Sequence, residues 1–247
     1  MKLNRMESLG GLAGVENDPP AIYPLSHAVS LEKAGDRIVD TKTGDEYFEK
    51  TSDAQTEYFV MLLSKGILHV SDLIEKDGKY YSRKMPLEQL APAEAEEKDV
   101  ELFLLKYLFG DHDHREGANY RSNDSGQFAH YDYGEAFSTV VPDRNRLLKA
   151  VGNFYLKRGA IRAMKDRAKG TTESSTKENF ARILKEKLDL FRQALNNDSF
   201  FRAVLEKSGL SLNGKLSFLK GDSEEDRAVR LREYLLDRIS LLEKITL

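Results

Sequence analysis

Phe109-Gly110-Asp111-His112-Asp113-His114-Arg115-Glu116-Gly117-Ala118-Asn119, followed by Phe128-Ala129-His130-Tyr131-Asp132-Tyr133-Gly134, decides how the rest of the chain is read. Asp113, Asn119 and Asp132 lie close in sequence, with glycine-containing turns between them. That set suits a particular division of labour. One carboxylate can orient an incoming hydroxyl, while an amide and a second carboxylate hold a divalent ion against nucleotide phosphates. Asp111 competes with Asp113 for the first role. The bland alternative is a charged loop between two ordinary elements.

Working upstream, Val100–Phe109 is apolar with helical period and leads directly into this stretch. Before it, Pro86 to Lys98 contains two prolines and an Ala/Glu-rich patch, as a linker would. A β-hairpin is expected over Leu68–Glu75 and Lys79–Met85, turned at Lys76-Asp77-Gly78. Further back, Tyr58, Phe59, Leu62 and Leu63 recur at helical spacing. Ser52 or Asp53 is the expected N-cap of that helix, and Gly66 its stop. Earlier still, three strands are expected: His27–Leu31, Arg37–Asp40 and Glu46–Lys50. Lys33-Ala34-Gly35-Asp36 and Thr41-Lys42-Thr43-Gly44-Asp45 would be the turns between them. In the third strand Phe48 and Lys50 share one face, with Tyr47 and Glu49 on the other.

Downstream of Gly134 the pattern is helical almost throughout: Glu178–Leu195, Asp198–Lys207 and Glu224–Ile245 carry Leu, Phe or Ile at helical spacing. A β-rich first third followed by a helical remainder makes the fold class α+β. The expected organisation is a flexible arm at 1–19, a small β-rich lobe at 20–86, a hinge or linker at 87–97 and a helical lobe at 98–247.

Composition sets outer bounds. The 247 residues are 40% hydrophobic and 32% charged, ordinary for a chain with a normal core. A net charge of −3 argues against a general or specific nucleic-acid binder. With no cysteine there is no disulfide scaffold, thiolate metal site or thiol nucleophile. No apolar run is long enough to span a bilayer, and Met1 to Gly14 does not read as a secretory signal. The expected location is cytoplasmic, with export as a secreted effector left open. Arg144–Lys169 is strongly basic, either a solvated helix face or a seat for an anionic ligand.

In order and spacing, these residues resemble the atypical members of the protein-kinase-like fold: HipA-type kinases, phosphoinositide kinases and effector kinases of intracellular bacteria. The resemblance covers roughly residues 27–140. Tyr47-Phe48-Glu49-Lys50 resembles the third strand ending in the nucleotide-binding lysine, and Glu57 resembles its helical partner. Lys79–Met85 resembles the strand entering the hinge, Asp113 to Asn119 the catalytic loop, and Asp132-Tyr133-Gly134 the metal-binding Asp-aromatic-Gly motif. The Asp113–Asn119 step is six residues, where the family uses five. No clear glycine-rich loop lies between the first two strands, and the helical tail is short.

The resemblance implies two lobes and an ATP- and Mg²⁺-dependent phosphotransferase, acting on a hydroxyl of a protein or of a lipid or inositol. Lys50 and Glu57 would hold the phosphates, Asn119 and Asp132 the magnesium, and Asp113 or Asp111 the acceptor hydroxyl. Nucleotidylyl transfer and glutamylation are open to the same fold. Two other classes compete: a catalytically inactive kinase-like binding module, and a metal-dependent phosphoesterase built on Asp111, His112, Asp113, His114 and His130.

Overall fold

The computed structural model describes residues 29–34, 37–84, 97–111, 120–122, 128–138 and 173–244. Asp113, Asn119, His112, His114, the basic stretch Arg144–Lys169, the N-terminal arm and nearly all of the expected linker lie outside these residues.

The architecture is α+β, with a small antiparallel sheet and five helices among the described residues. Five strands, β1 (Leu31–Ala34), β2 (Arg37–Asp40), β3 (Glu46–Lys50), β4 (Leu73–Lys76) and β5 (Lys79–Arg83), stand in the order β1-β2-β3-β5-β4. Every neighbouring pair is antiparallel. A separate two-stranded ribbon joins β6 (Tyr120–Ser122) to β7 (Phe128–His130). The helices are α1 (Ala54–Ser64), α2 (Glu97–Tyr107), α3 (Glu173–Asn196), α4 (Asp198–Ser208) and α5 (Glu224–Glu243).

The first hairpin departs from the sequence expectation. Its first strand runs through Lys33 and Ala34, which were expected in the turn and instead pair with Ile38 and Arg37. Asp40 fixes this register. Its buried carboxylate accepts from the backbone of Ser30 and Lys42 and from the Thr43 hydroxyl, anchoring both strand ends to one side chain. The β4–β5 turn follows the expected chemistry: Asp77 (φ 55°) and Gly78 (φ 74°) are both left-handed, the geometry a two-residue hairpin requires. β4 is shorter than expected, because the His69 carbonyl and the Ser71 amide bond to His130 of the ribbon on either side of Val70.

Helix α1 is buried around almost its whole circumference, from Thr56 to Ser64. A helix apolar on all sides belongs between layers rather than on a surface. Here β5 and α4 flank it, with Tyr58 edge-on to Tyr80 and Phe59 edge-on to Phe201. One contiguous core then runs through α2, α3 and α5 by way of Phe103, Leu104, Leu188, Phe191, Leu235 and Ile239. Ser223 and Asp226 form a reciprocal capping box that starts α5. No described helix is long and apolar enough to cross a membrane.

Candidate active site

Three residues singled out from sequence meet at one point. β3 ends at Lys50, α1 begins four residues later, and β7 delivers Asp132 two residues beyond its own end. Lys50 Nζ lies 3.1 Å from Glu57 Oε2 and 3.1 Å from Asp132 Oδ1. The Asp132 amide donates to Glu57 Oε1 at 3.2 Å. Glu57 therefore receives the lysine on one oxygen and the loop backbone on the other.

The ion pair is lopsided. Burial pushes the Glu57 carboxyl above its ordinary value despite the opposing pull of Lys50. At Lys50 burial pulls downward, but the charges and hydrogen bonds of Glu57 and Asp132 outweigh it and leave the ammonium raised. The difference follows from exposure. Glu57 is 1% exposed and bears most of the desolvation, whereas Lys50 keeps 20% of its side chain in water. The Asp132 side chain is 53% exposed, so its carboxylate faces solvent while its backbone is held.

Asp132 sits at φ 63°, a left-handed conformation that an aspartate tolerates at a cost of order 1–3 kcal/mol. Tyr133 holds it there. That side chain is fully buried; its hydroxyl donates to the His130 carbonyl and accepts from the Ser71 amide. Gly134 follows, and a Cβ placed on it would come within 3.2 Å of Asp53 Cβ, so the absence of a side chain permits close approach. Asp53 occupies the N-cap position of α1 but is itself left-handed (φ 52°) and makes no side-chain cap bond. Its carboxylate instead pairs with Lys215 at 2.9 Å.

Phe48 is the one exposed large apolar side chain among the described residues, at 57%. It lies two positions before Lys50 and so on the same face of β3. A cavity of about 760 Å³ is lined by Lys50 itself together with Thr51, Asp53, Lys79, Tyr80 and Lys215. Neither Phe48 nor Asp132 lines it, so this cavity neighbours the three-residue cluster without containing it.

Asp111 is buried, its amide bonded to the Leu105 carbonyl at the end of α2. His130 belongs to a second buried cluster. Glu101 (α2) accepts from the His69 ring and amide at 2.7 and 2.8 Å, pairs with Lys187 (α3) at 2.8 Å, and lies 3.5 Å from His130 Nε2. Lys187 also reaches Glu97 at 2.8 Å and the Ile67 carbonyl at 2.7 Å. His69, Glu97 and Glu101 are close enough to surround a metal ion. The Lys187 ammonium already lies 2.8 Å from an oxygen of each of the two carboxylates, where a metal ion would have to sit.

Sequence reading singled out His130 but missed its partners in this second cluster, and missed Lys215. Both depend on residues far apart in the chain, and no local pattern marks them. Phe48 was within reach, since strand alternation alone puts it beside Lys50. In comparisons with known proteins, no family model, no curated protein and no solved structure matches the chain.

Proposed function

We propose that the chain is an ATP- and magnesium-dependent phosphotransferase of two-lobed, kinase-like build, with the β-rich lobe at 20–86 and the helical lobe at 98–247. One observation carries the reading: Lys50 of the third strand, Glu57 of the helix after it and Asp132 of the Asp-Tyr-Gly motif converge within hydrogen-bonding distance. Phosphoryl transfer in kinases uses a strand lysine, its helical glutamate and a metal-binding aspartate in this relation.

In this reading Lys50 donates to the α- and β-phosphates while Glu57 fixes its ammonium. Asp132, exposed and oxygen-donating, suits a hard cation, and Asn119 is its proposed companion. Bound magnesium would neutralise phosphate charge. Asp113 accepts a hydrogen bond from the acceptor hydroxyl and aims it at the γ-phosphorus, a role for which Asp111 is too deeply buried. Phe48 offers a flat apolar surface on the lysine's face, where a nucleotide base can stack. The acceptor is a hydroxyl of a protein or of a lipid or inositol.

Thermal unfolding with ATP, with and without Mg²⁺, tests this on wild type and Lys50→Ala. Saturation at about a hundred times Kd adds roughly 2.7 kcal/mol. For a chain of this size the midpoint should rise by roughly 5–10 °C. Lys50→Ala should remove most of that rise. No stabilisation of the wild type by any nucleotide overturns the proposal. Binding without turnover would make the chain a nucleotide-binding module instead.

A further inference from the structure

We infer that Lys215 is a positioning residue for the Asp132 loop, reaching from the C-terminal helical part of the chain to tie Gly134 to the start of α1. The inference rests on the phosphotransferase reading of Lys50, Glu57 and Asp132.

Lys215 belongs to a single 3₁₀ turn, Gly214–Leu216, in the connection between α4 and α5. Its Nζ donates to the Gly134 carbonyl at 2.7 Å and pairs with Asp53 Oδ1 at 2.9 Å, with Glu135 Oε2 at 3.9 Å. One ammonium thus binds the Asp-Tyr-Gly loop and the residue that precedes α1. Those two partners run close together, since a Cβ added to Gly134 would lie 3.2 Å from that of Asp53. Each side of the contact carries a left-handed aspartate, Asp53 at φ 52° and Asp132 at φ 63°. Such conformations persist only where their surroundings over-determine them, and a cation holding both segments does this.

The connection carrying Lys215 is itself fixed. Gly209 ends α4 in the left-handed conformation, and the Tyr80 hydroxyl of β5 donates to the Ser208 carbonyl at 3.1 Å. Leu210, Leu212 and Leu216 are buried beside it. The lysine is therefore presented from a rigid base. It touches neither Lys50 nor Asp132 directly; its effect on the carboxylate passes through the backbone from Gly134.

Without the ammonium, Asp53 and Glu135 lose their shared cation and the Gly134 carbonyl loses its donor. The loop is then freer to leave the geometry in which Asp132 can hold a cation. The ATP contacts of Lys50 are left in place. The separable readout is the gain in ATP affinity that Mg²⁺ provides.

ATP binding should be measured by calorimetry in excess Mg²⁺ and in EDTA, on wild type, Lys215→Met, Lys215→Arg and Asp53→Asn. Lys215→Met should lose about tenfold or more of the Mg²⁺-dependent gain while its affinity in EDTA stays within about twofold, as when a group supporting a metal ligand is removed. Lys215→Arg should recover most of the gain, and Asp53→Asn should fall between. A folded Lys215→Met with the full Mg²⁺ gain overturns the inference and leaves the phosphotransferase reading intact. Wild type that binds no ATP in either condition overturns both. Should Lys215→Met not fold, Asp53→Asn decides alone: an undiminished Mg²⁺ gain counts against the inference.

Discussion

At the scale of single residues, Phe48 and Glu57 give the sharpest expectations. Phe48 is exposed, so Phe48→Ala should leave the unfolding midpoint nearly unchanged. Base stacking on an aromatic ring contributes roughly 1–3 kcal/mol, so ATP affinity should fall by roughly 5- to 160-fold. Inorganic triphosphate has no base, and its affinity should not move; calorimetry with both ligands separates stacking from a general disturbance of β3. Glu57→Gln keeps the shape but removes a buried negative charge. Because burial already holds that carboxyl above its ordinary value, its ionised form opposes folding at neutral pH. The glutamine variant should fold at least as stably by thermal melt, yet turn over ATP poorly because Lys50 has lost its fixed partner. The three-residue cluster was readable from sequence because Lys50, Glu57 and Asp132 each follow a local signal: a strand end, a helix turn and an Asp-aromatic-Gly triplet. Lys215 has no such signal. Its partner Gly134 is 81 residues away, and only the folded connection before α5 brings them together.

Among the elements, the joint between α2 and α3 is the most exacting. Glu101 is fully buried and is balanced by Lys187 from α3 and His69 from the segment before β4. Removing one partner of a buried pair leaves a charge without compensation, so Lys187→Met should destabilise by about 3 kcal/mol or more. A denaturant titration would measure it. The same joint is pH-sensitive. Burial pulls the His69 imidazole down, but the hydrogen bond and charge of Glu101, with Glu97 adding to them and Lys187 opposing, leave it above its ordinary value of 6.5. The folded chain therefore binds that proton more tightly than the unfolded chain. Its contribution to stability is complete below about pH 6.5 and is lost as the pH rises through the folded value. Wild-type midpoints should decline across that interval, and His69→Asn should flatten the decline. Sequence patterns located α1, α2, α3, α4 and α5 because each has an apolar stripe of helical period. They could not show that α1 lies between layers, since a stripe says which face is buried and not what covers it. The first hairpin was misplaced for a related reason: Asp40, not turn propensity, sets its register.

For the whole molecule, the α+β division was legible from the change in periodicity after Gly134, while the way the helical part grips the sheet was not. α4 lies along α1, Tyr80 reaches Ser208, and Lys215 closes the seam. If the sheet, α1 and this connection move together, MgATP should slow amide exchange in α1 and across 209–216 as well as at β3. Protection limited to β3 would mean that the two parts respond separately. The distance along the chain between Gly134 and Lys215 also has a consequence during synthesis. With the two 81 positions apart and elongation at about 5–20 residues per second, the loop leaves the ribosome roughly 4–16 s before its ammonium tether exists. For that interval a nascent chain holds the strand, the helix and the aspartate without the tether, and translation itself delays the moment at which it can act on any neighbour.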